Sequence, residues 1–279
     1  MSRRVLIAGC GYVGSALAGL LSEQGHRVWG LRRFSAPLPA GVSPVLADLG
    51  DREALHGALP AEPFDWVVCC AAADARDPDA YRRAYVDGIA SLLEVVAPPS
   101  RLLLTSSTAV YGQRGGEWVD EESETVPNAF NGAIMLEAEA LIRHGGADEA
   151  ISLRLGGIYG PGRGRVIELV KSGRAHRPPS PNYTNRIHRD DCAGAAAHLL
   201  TLPEPEGIYL GVDHEPADLG EVYDWLAGEL GVELARGDTS SVDASSGKRC
   251  NNLRLRESGY AFRYPTFREG YRAMLDDPA

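Results

Sequence analysis

Arg4-Val5-Leu6-Ile7-Ala8-Gly9-Cys10-Gly11-Tyr12-Val13-Gly14 reads as a strand, a glycine turn and the start of a helix. Val5–Ala8 is an apolar run of strand length, and a helical pattern over Ser15–Gln24 follows at once. In Gly9-x-Gly11-x-x-Gly14 each glycine has its own job. Gly9 allows the tight turn, Gly11 lets backbone approach a pyrophosphate, and Gly14 lets helix pack closely on strand. A helix N-terminus presents unpaired N–H groups and the positive end of a dipole, both of which favour an anion. The segment therefore predicts a bound dinucleotide, with Gly9, Gly11, Tyr12, Val13 and Gly14 around its pyrophosphate. The competing expectation is a turn kept only for packing.

The next strand, Arg27–Leu31, runs into Arg32-Arg33, with no acid beside them in the sequence. An NAD site carries an Asp or Glu there for the ribose 2′-OH, whereas guanidinium groups suit a 2′-phosphate. The expected cofactor is therefore NADP rather than NAD; the alternative is a pair of solvated arginines. Asp48-Leu49, after the third strand, brings a carboxylate toward the adenine. Ala71-Ala72-Ala73, after Trp66–Cys70, is small enough for backbone to lie against the cofactor.

Strands are expected at Val5–Ala8, Val28–Leu31, Val42–Leu46, Trp66–Cys70, Leu102–Ser106 and Ile151–Leu155. Helical patterns fill the gaps near Ser15–Gln24, Asp51–Ala58, Asp79–Val96 and Gly132–Arg143. Such alternation predicts an α/β fold with a doubly wound parallel sheet, right-handed crossovers and ligands at the carboxyl ends of the strands. After Leu155 the alternation breaks at the Pro/Gly-rich segments Gly156–Gly164 and Arg177–Pro181. Helices are expected at Val166–Ser172, Asp191–Leu202 and Leu219–Leu230, with a short strand at Ile208–Val212. Residues 1–155 are read as the dinucleotide-binding domain. Residues 156–279 are read as a smaller substrate lobe with segments returning to the sheet, and Gly237–Gly247 as its flexible loop.

The 279 residues are 44% hydrophobic, enough for a substantial core, and their net charge of −10 argues against a general nucleic-acid binder. The stretch Arg154–Arg189 departs from that balance at a net +7, with Glu168 as its lone acid. A basic stretch beside a nucleotide cleft suits a small anionic substrate, and the alternative is a solvated basic face. Cys10, Cys69, Cys70, Cys192 and Cys250 are odd in number and lack a CxxC pair, a reduced cytoplasmic pattern without a metal site. The apolar stretch before Cys10 is short for a signal peptide, and no apolar run has membrane-spanning length.

From Thr105-Ser106-Ser107-Thr108-Ala109-Val110-Tyr111-Gly112 onward the chain resembles the extended short-chain dehydrogenase/reductases, the NAD(P)-dependent epimerase/dehydratase family. Val119-Asp120-Glu121, Leu153-Arg154, Ile158-Tyr159-Gly160-Pro161-Gly162 and Arg186-Ile187-His188-Arg189-Asp190-Asp191 extend the likeness. The resemblance implies a Rossmann domain with a small C-terminal lobe, nucleotide-linked redox chemistry, often on nucleotide sugars, and commonly a homodimer paired through the helices at Asp79–Val96 and Gly132–Arg143. It also implies a catalytic Ser or Thr, a Tyr, and a Lys four residues after the Tyr. Ser107 takes the Ser position, with Ser106 beside it at the cofactor. The Tyr position is Asn131 and the Lys position is Met135. Asn does not titrate, and a thioether has no charge with which to lower a phenol's pKa. The chain is most similar to an atypical branch, the YeeZ-like proteins, around Thr184–Asp191, Met135–Glu139 and Lys248–Tyr264.

Among groups able to replace the missing acid, His188 titrates nearest neutrality; its structural alternative is a packed histidine. Tyr111 and Tyr159 follow, and Asn131 can orient a water or a carbonyl without titrating. The resemblance makes Arg186 the leading substrate anchor, with Arg163, Arg165, Lys248 and Arg249 behind it. Met135 is expected beside the nicotinamide or in the core. Two functions are carried forward. One is an NADP-dependent oxidoreductase or epimerase on a small anionic, sugar- or nucleotide-like substrate. The other is a non-catalytic NADP(H)-binding redox sensor or regulatory protein. An isomerase or lyase using the nucleotide structurally is a weaker third.

Overall fold

A computed structural model describes residues 1–234 and 246–277. In chain order the strands are β1 Arg4–Ala8, β2 Arg27–Arg32, β3 Val42–Leu46, β4 Trp66–Cys69, β5 Arg101–Ser107, β6 Gly115–Val119, β7 Glu149–Leu155, β8 Gly157–Tyr159, β9 Tyr183–Thr184, β10 Arg186–His188, β11 Ile208–Gly211, β12 Ala217–Asp218 and β13 Gly247–Cys250. The helices are α1 Tyr12–Glu23, α2 Arg52–Ala58, α3 Pro78–Arg82, α4 Gly88–Val95, α5 Phe130–Arg143, α6 Arg165–Lys171, α7 Arg189–Thr201, α8 Leu219–Leu230, α9 Leu253–Glu257 and α10 Phe267–Asp276.

The chain divides into two compact units. The first comprises Met1–Tyr111, Thr125–Arg154 and Cys192–Tyr209. It is built on a seven-stranded sheet of order β11-β7-β5-β4-β1-β2-β3, the doubly wound Rossmann arrangement. The pairs β3–β2, β2–β1, β1–β4 and β4–β5 are parallel. Val5, Leu6, Ile7 and Ala8 of the central β1 are wholly buried, as expected where helices cover both faces of a parallel sheet. Asp51 caps α2 through a bond from Ala54 N, and Asp77 caps α3 ahead of Pro78. The single helix expected at Asp79–Val96 is instead α3 and α4 joined by a π turn at Arg83–Asp87. Gly88, following that turn, leaves room for Leu49: a Cβ there would lie 3.0 Å from Leu49 Cβ and from Arg83 O.

The second unit comprises Gly112–Glu124, Leu155–Asp191 and Leu210–Ala279. It holds a four-stranded sheet, β12-β9-β13-β6, and the parallel pair β10–β8. Its core gathers Tyr159, Ile167, Val170, Val222, Leu226, Phe267 and Tyr271. Helix α10 begins at a capping box in which Thr266 and Glu269 satisfy each other's backbone donors. The predicted loop Gly237–Gly247 lies, up to residue 245, outside the described residues; Gly247 opens β13.

Candidate functional site

The first unit's site begins at the glycine turn. Gly9 holds φ +101°, and a Cβ on it would lie 2.2 Å from Ala71 N, so only glycine fits. A Cβ on Gly14 would meet Gly9 O at 2.3 Å, the close helix–strand approach expected of that position. Gly11 differs: nothing lies within 4 Å of its Cβ position, and the residue is exposed. No side chain caps α1 at Gly11, and its first turn carries no acid. Open space in front of an uncapped helix end fits a pyrophosphate. Val13 is buried under the helix and Tyr12 is half-buried. Ala71 packs its backbone against Gly9, with Ala73 half-buried and Ala72 exposed beyond it.

At the end of β2 the two arginines behave differently. Arg32 turns back on its own scaffold, donating to Cys10 O and, at 3.2 Å, to Pro37 O. Arg33 Nη1 donates to Asp74 Oδ2 at 2.7 Å, Nη2 donates to Asp74 Oδ1, and Nε lies 4.0 Å from Asp48 Oδ2. The acids missing from the neighbouring sequence are thus supplied from the ends of β3 and β4. Asp48 also accepts from Gly50 N, and Leu49 packs toward Gly88.

At the carboxyl end of β5, Ser107 Oγ accepts from Ala109 N at 3.1 Å, which leaves its proton free to be donated. A Cβ on Gly132 would meet Ala109 O at 2.3 Å, so the start of α5 presses on this same segment and carries Asn131 there. Met135, one turn on, is buried. Ser106 points the other way. Its Oγ donates to Glu139 Oε1 at 2.6 Å, and Arg154 meets the Glu139 carboxylate through Nε at 2.9 Å and Nη2 at 2.7 Å. Arg154 Nη1 also donates to Tyr111 Oη at 2.7 Å, and its guanidinium stacks over that ring. Ser106, Tyr111, Glu139 and Arg154 are all buried. They form a bracket joining β5, α5 and β7, and Tyr111 is one of its struts.

In the second unit, His188 has a side chain only 2% exposed and packs between Tyr159 and Tyr264. Its Nδ1 accepts from Asp190 N, and burial pushes its pKa down to about 4, so the ring is neutral at pH 7. This is the packed-histidine alternative in geometry, and a poor general acid. Arg186 is buried too, over the face of Phe267 and donating to Thr184 Oγ1. Beside it burial pushes Asp213 up to about 8, against the lowering effect of Arg186. Among the described residues, Arg186 Nη1, Asp213 Oδ2 and Tyr159 Oη are buried without a hydrogen-bond partner. Arg249 is held by Gly116 O and by the rings of Trp118 and Tyr183. Lys248 is half-buried, and burial lowers its pKa. Arg163 and Arg165 are exposed. Of the basic stretch read from the sequence, Arg177 pairs with Asp224, Lys171 with Glu168 and Arg189 with Asp190.

Asp74, Glu139 and Asp213 are brought forward by these contacts and were not singled out from the sequence; Glu139 closes the Met135–Glu139 likeness, and nothing in the sequence marks the other two. A groove of about 620 Å³ in the first unit, lined by Arg3, His26, Trp66, Arg101, Glu149 and Leu200, opens at the amino ends of β1, β4 and β5, the opposite end of the sheet from the glycine turn. No group of three or more His, Cys, Asp or Glu among the described residues is placed to hold a metal. No helix among them is long and apolar enough to cross a membrane.

Comparison with known proteins agrees with this architecture. YeeZ of Escherichia coli K12 is 29% identical over 94% of this chain and 97% of its own length. A 3-diazoavenalumate denitrifying reductase from a Streptomyces species is 30% identical, over 84% of this chain and 83% of its own. A Methylobacillus flagellatus structure, provisionally assigned as an NAD-dependent epimerase/dehydratase, superposes with a TM-score of 0.84 at 36% identity, covering 99% and 98% of the two chains. Two structures at 21% identity share the fold: WbmG of Bordetella bronchiseptica with NAD and UDP, TM-score 0.81 over 99% and 94%, and human SDR39U1 with NADPH, TM-score 0.79 over 98% and 99%. Residues 5–205, which run from β1 to just before β11 and include the glycine turn, Ser107 and α5, match the NAD dependent epimerase/dehydratase family, and to that family this chain belongs.

Proposed function

We propose that this chain binds NADP(H) and uses it for oxidoreduction or epimerisation of a small anionic, sugar- or nucleotide-like substrate. The observation that carries the reading is the open, uncapped helix end at Gly11, set between the arginines at the end of β2 and Ser107 at the end of β5. Bound there, a nicotinamide supplies hydride exchange with carbon. Gly9, Gly11, Tyr12, Val13 and Gly14 would hold the pyrophosphate, Arg33 the 2′-phosphate, Asp48 and Leu49 the adenine side, and Ala71–Ala73 and Met135 the rest of the cofactor; Arg32 and Ser106, expected there from the sequence, are instead turned to Cys10 O and Pro37 O and to Glu139. Ser107 donates a hydrogen bond to the reacting oxygen, and the Asn131 amide orients that oxygen or a water. Neither group titrates near neutral pH, so water carries the proton. Arg163 and Arg165, both exposed, are better placed for an anion than Arg186, Lys248 or Arg249. A relative named as a reductase, and fold neighbours holding NADPH or NAD with UDP, support this class of chemistry.

Native mass spectrometry with NADPH and with NADH, followed by NADPH oxidation against sugar-like carbonyls, tests the reading. NADP(H) is retained, and Ser107→Ala lowers turnover by about 100-fold, the usual cost of one such donor. An unchanged rate in Ser107→Ala, or no nucleotide retained, overturns it. Asn131 and Met135 at the Tyr and Lys positions favour one second reading, a non-catalytic NADP(H)-binding redox sensor. In that case substrate screens stay silent while NADPH changes the oligomeric state, with the segments Asp79–Val96 and Gly132–Arg143 proposed as the pairing surface of a homodimer.

A further inference from the structure

The charges at the end of β2 cancel. Arg32 and Arg33 bring two cations, and Asp48 and Asp74 bring two carboxylates against Arg33. Arg32 spends its donors on Cys10 O and Pro37 O, so Arg33 is the fork offered to a ligand. That fork is already filled: Asp74 takes Nη1 and Nη2 together, in the bidentate manner in which a guanidinium also grips a phosphate. Arg33 in turn holds the Asp74 carboxyl below its ordinary range, so it stays charged at physiological pH. Asp74 is itself 64% exposed at the side chain, and an exposed pair of this kind is weak enough to be opened by a competing anion.

We propose that Asp74 is a specificity-determining residue for cofactor choice, a carboxylate competitor seated on the guanidinium that a 2′-phosphate needs. The proposal rests on the reading that a dinucleotide binds at Gly9–Gly14. To admit NADP(H), Arg33 releases Asp74 and the phosphate meets that carboxylate as a like charge. With NAD(H), which has no 2′-phosphate to place on Arg33, the pair stays closed. Two arginines after β2 therefore yield a weaker preference for NADP(H) than their number suggests, and the preference is set by a residue about forty positions away in the chain.

Calorimetric titration of NADPH and NADH into the purified wild-type, Asp74→Asn, Asp74→Ala and Arg33→Ala proteins tests this. Circular dichroism confirms that each variant is folded. Both Asp74 variants bind NADPH about 5- to 20-fold more tightly and NADH within about 2-fold of wild type, and the gain shrinks at high salt as screening requires. Arg33→Ala loses most of the NADPH affinity. An unchanged ratio of NADPH to NADH affinity in both Asp74 variants, with wild type still binding nucleotide, overturns the proposal and leaves the nucleotide reading intact. Binding of neither nucleotide by wild type overturns both.

Discussion

In the proposed site, Asn131 and Met135 at the Tyr and Lys positions change what pH can do to the rate. A Tyr–Lys pair imposes its own ionisation on the rate, whereas an amide and a thioether have none to impose. The rate of NADPH oxidation is therefore expected to stay flat between about pH 6 and 9; an ionisation in that window of kcat would show another acid at work. Asp213 acts on stability instead. Its folded pKa, raised by burial to about 8, lies far above that of an unfolded Asp, so between about pH 4 and 8 the folded chain keeps a proton that the unfolded chain has released. Stability from this group is full below about pH 4 and is lost as pH rises through about 8, by at most about 1.4 kcal/mol per pH unit. Asp213→Asn removes the ionisation, so the fall in Tm from pH 6 to pH 8.5 flattens in thermal melts. Parallel melting profiles for the two proteins would contradict this. His188 works with the opposite sign, its contribution disappearing as pH falls from about 6.5 through about 4.

The elements are tied by two kinds of contact that tolerate little change. Glu139 and Arg154 form a buried ion pair whose oxygens are shared with Ser106, linking α5 to β5 and β7. Removing one partner strands the other charge, so Glu139→Ala costs about 3–5 kcal/mol in chemical denaturation, with the Ser106 hydroxyl losing its acceptor. A loss below about 1 kcal/mol would show that the bracket is not structural. Helix α10 carries a glycine where Ala would raise helix propensity by about 1 kcal/mol. A Cβ at Gly270 lies 1.9 Å from Tyr159 Oη, so Gly270→Ala destabilises by about 1–3 kcal/mol in spite of the propensity gain. Both contacts explain why elements were easier to place than side chains. The long strands and helices announced themselves by apolar period: Val42–Leu46 of the first unit and Leu219–Leu230 of the second match the structure residue for residue. The short strands β6, β8, β9, β10, β12 and β13, of two to five residues, were not read, since nothing local stabilises a pair whose partner is distant in sequence. Helix α10 was missed although Thr266-x-x-Glu269 is a start signal in plain sight.

For the whole molecule, a net charge of −10 opposes an anionic dinucleotide, so binding relies on local donors and weakens or strengthens with salt according to which charges dominate. Binding to the folded form alone raises the melting temperature with ligand concentration, by about 2.7 kcal/mol of added stability at one hundred times Kd. NADPH is expected to do so in differential scanning calorimetry, and no response to either NADPH or NADH would remove the nucleotide reading. By itself the sequence determined the parallel sheet and the glycine turn, while the order of the strands came from the structure. The sheet and the turn depend on apolar period and on backbone angles, which each short stretch carries within itself. Through its family resemblance the sequence also put forward Ser107, and Asn131 and Met135 at the Tyr and Lys positions, since motif spacing is carried in the chain itself. Tertiary structure alone decided the rest. It set Asp74 on Arg33, drew the Arg154 and Arg186 guanidiniums into cores, and buried His188 among tyrosines. A charge read from sequence is a charge in water. Its partner, its dielectric and its pKa exist only once distant segments have packed around it.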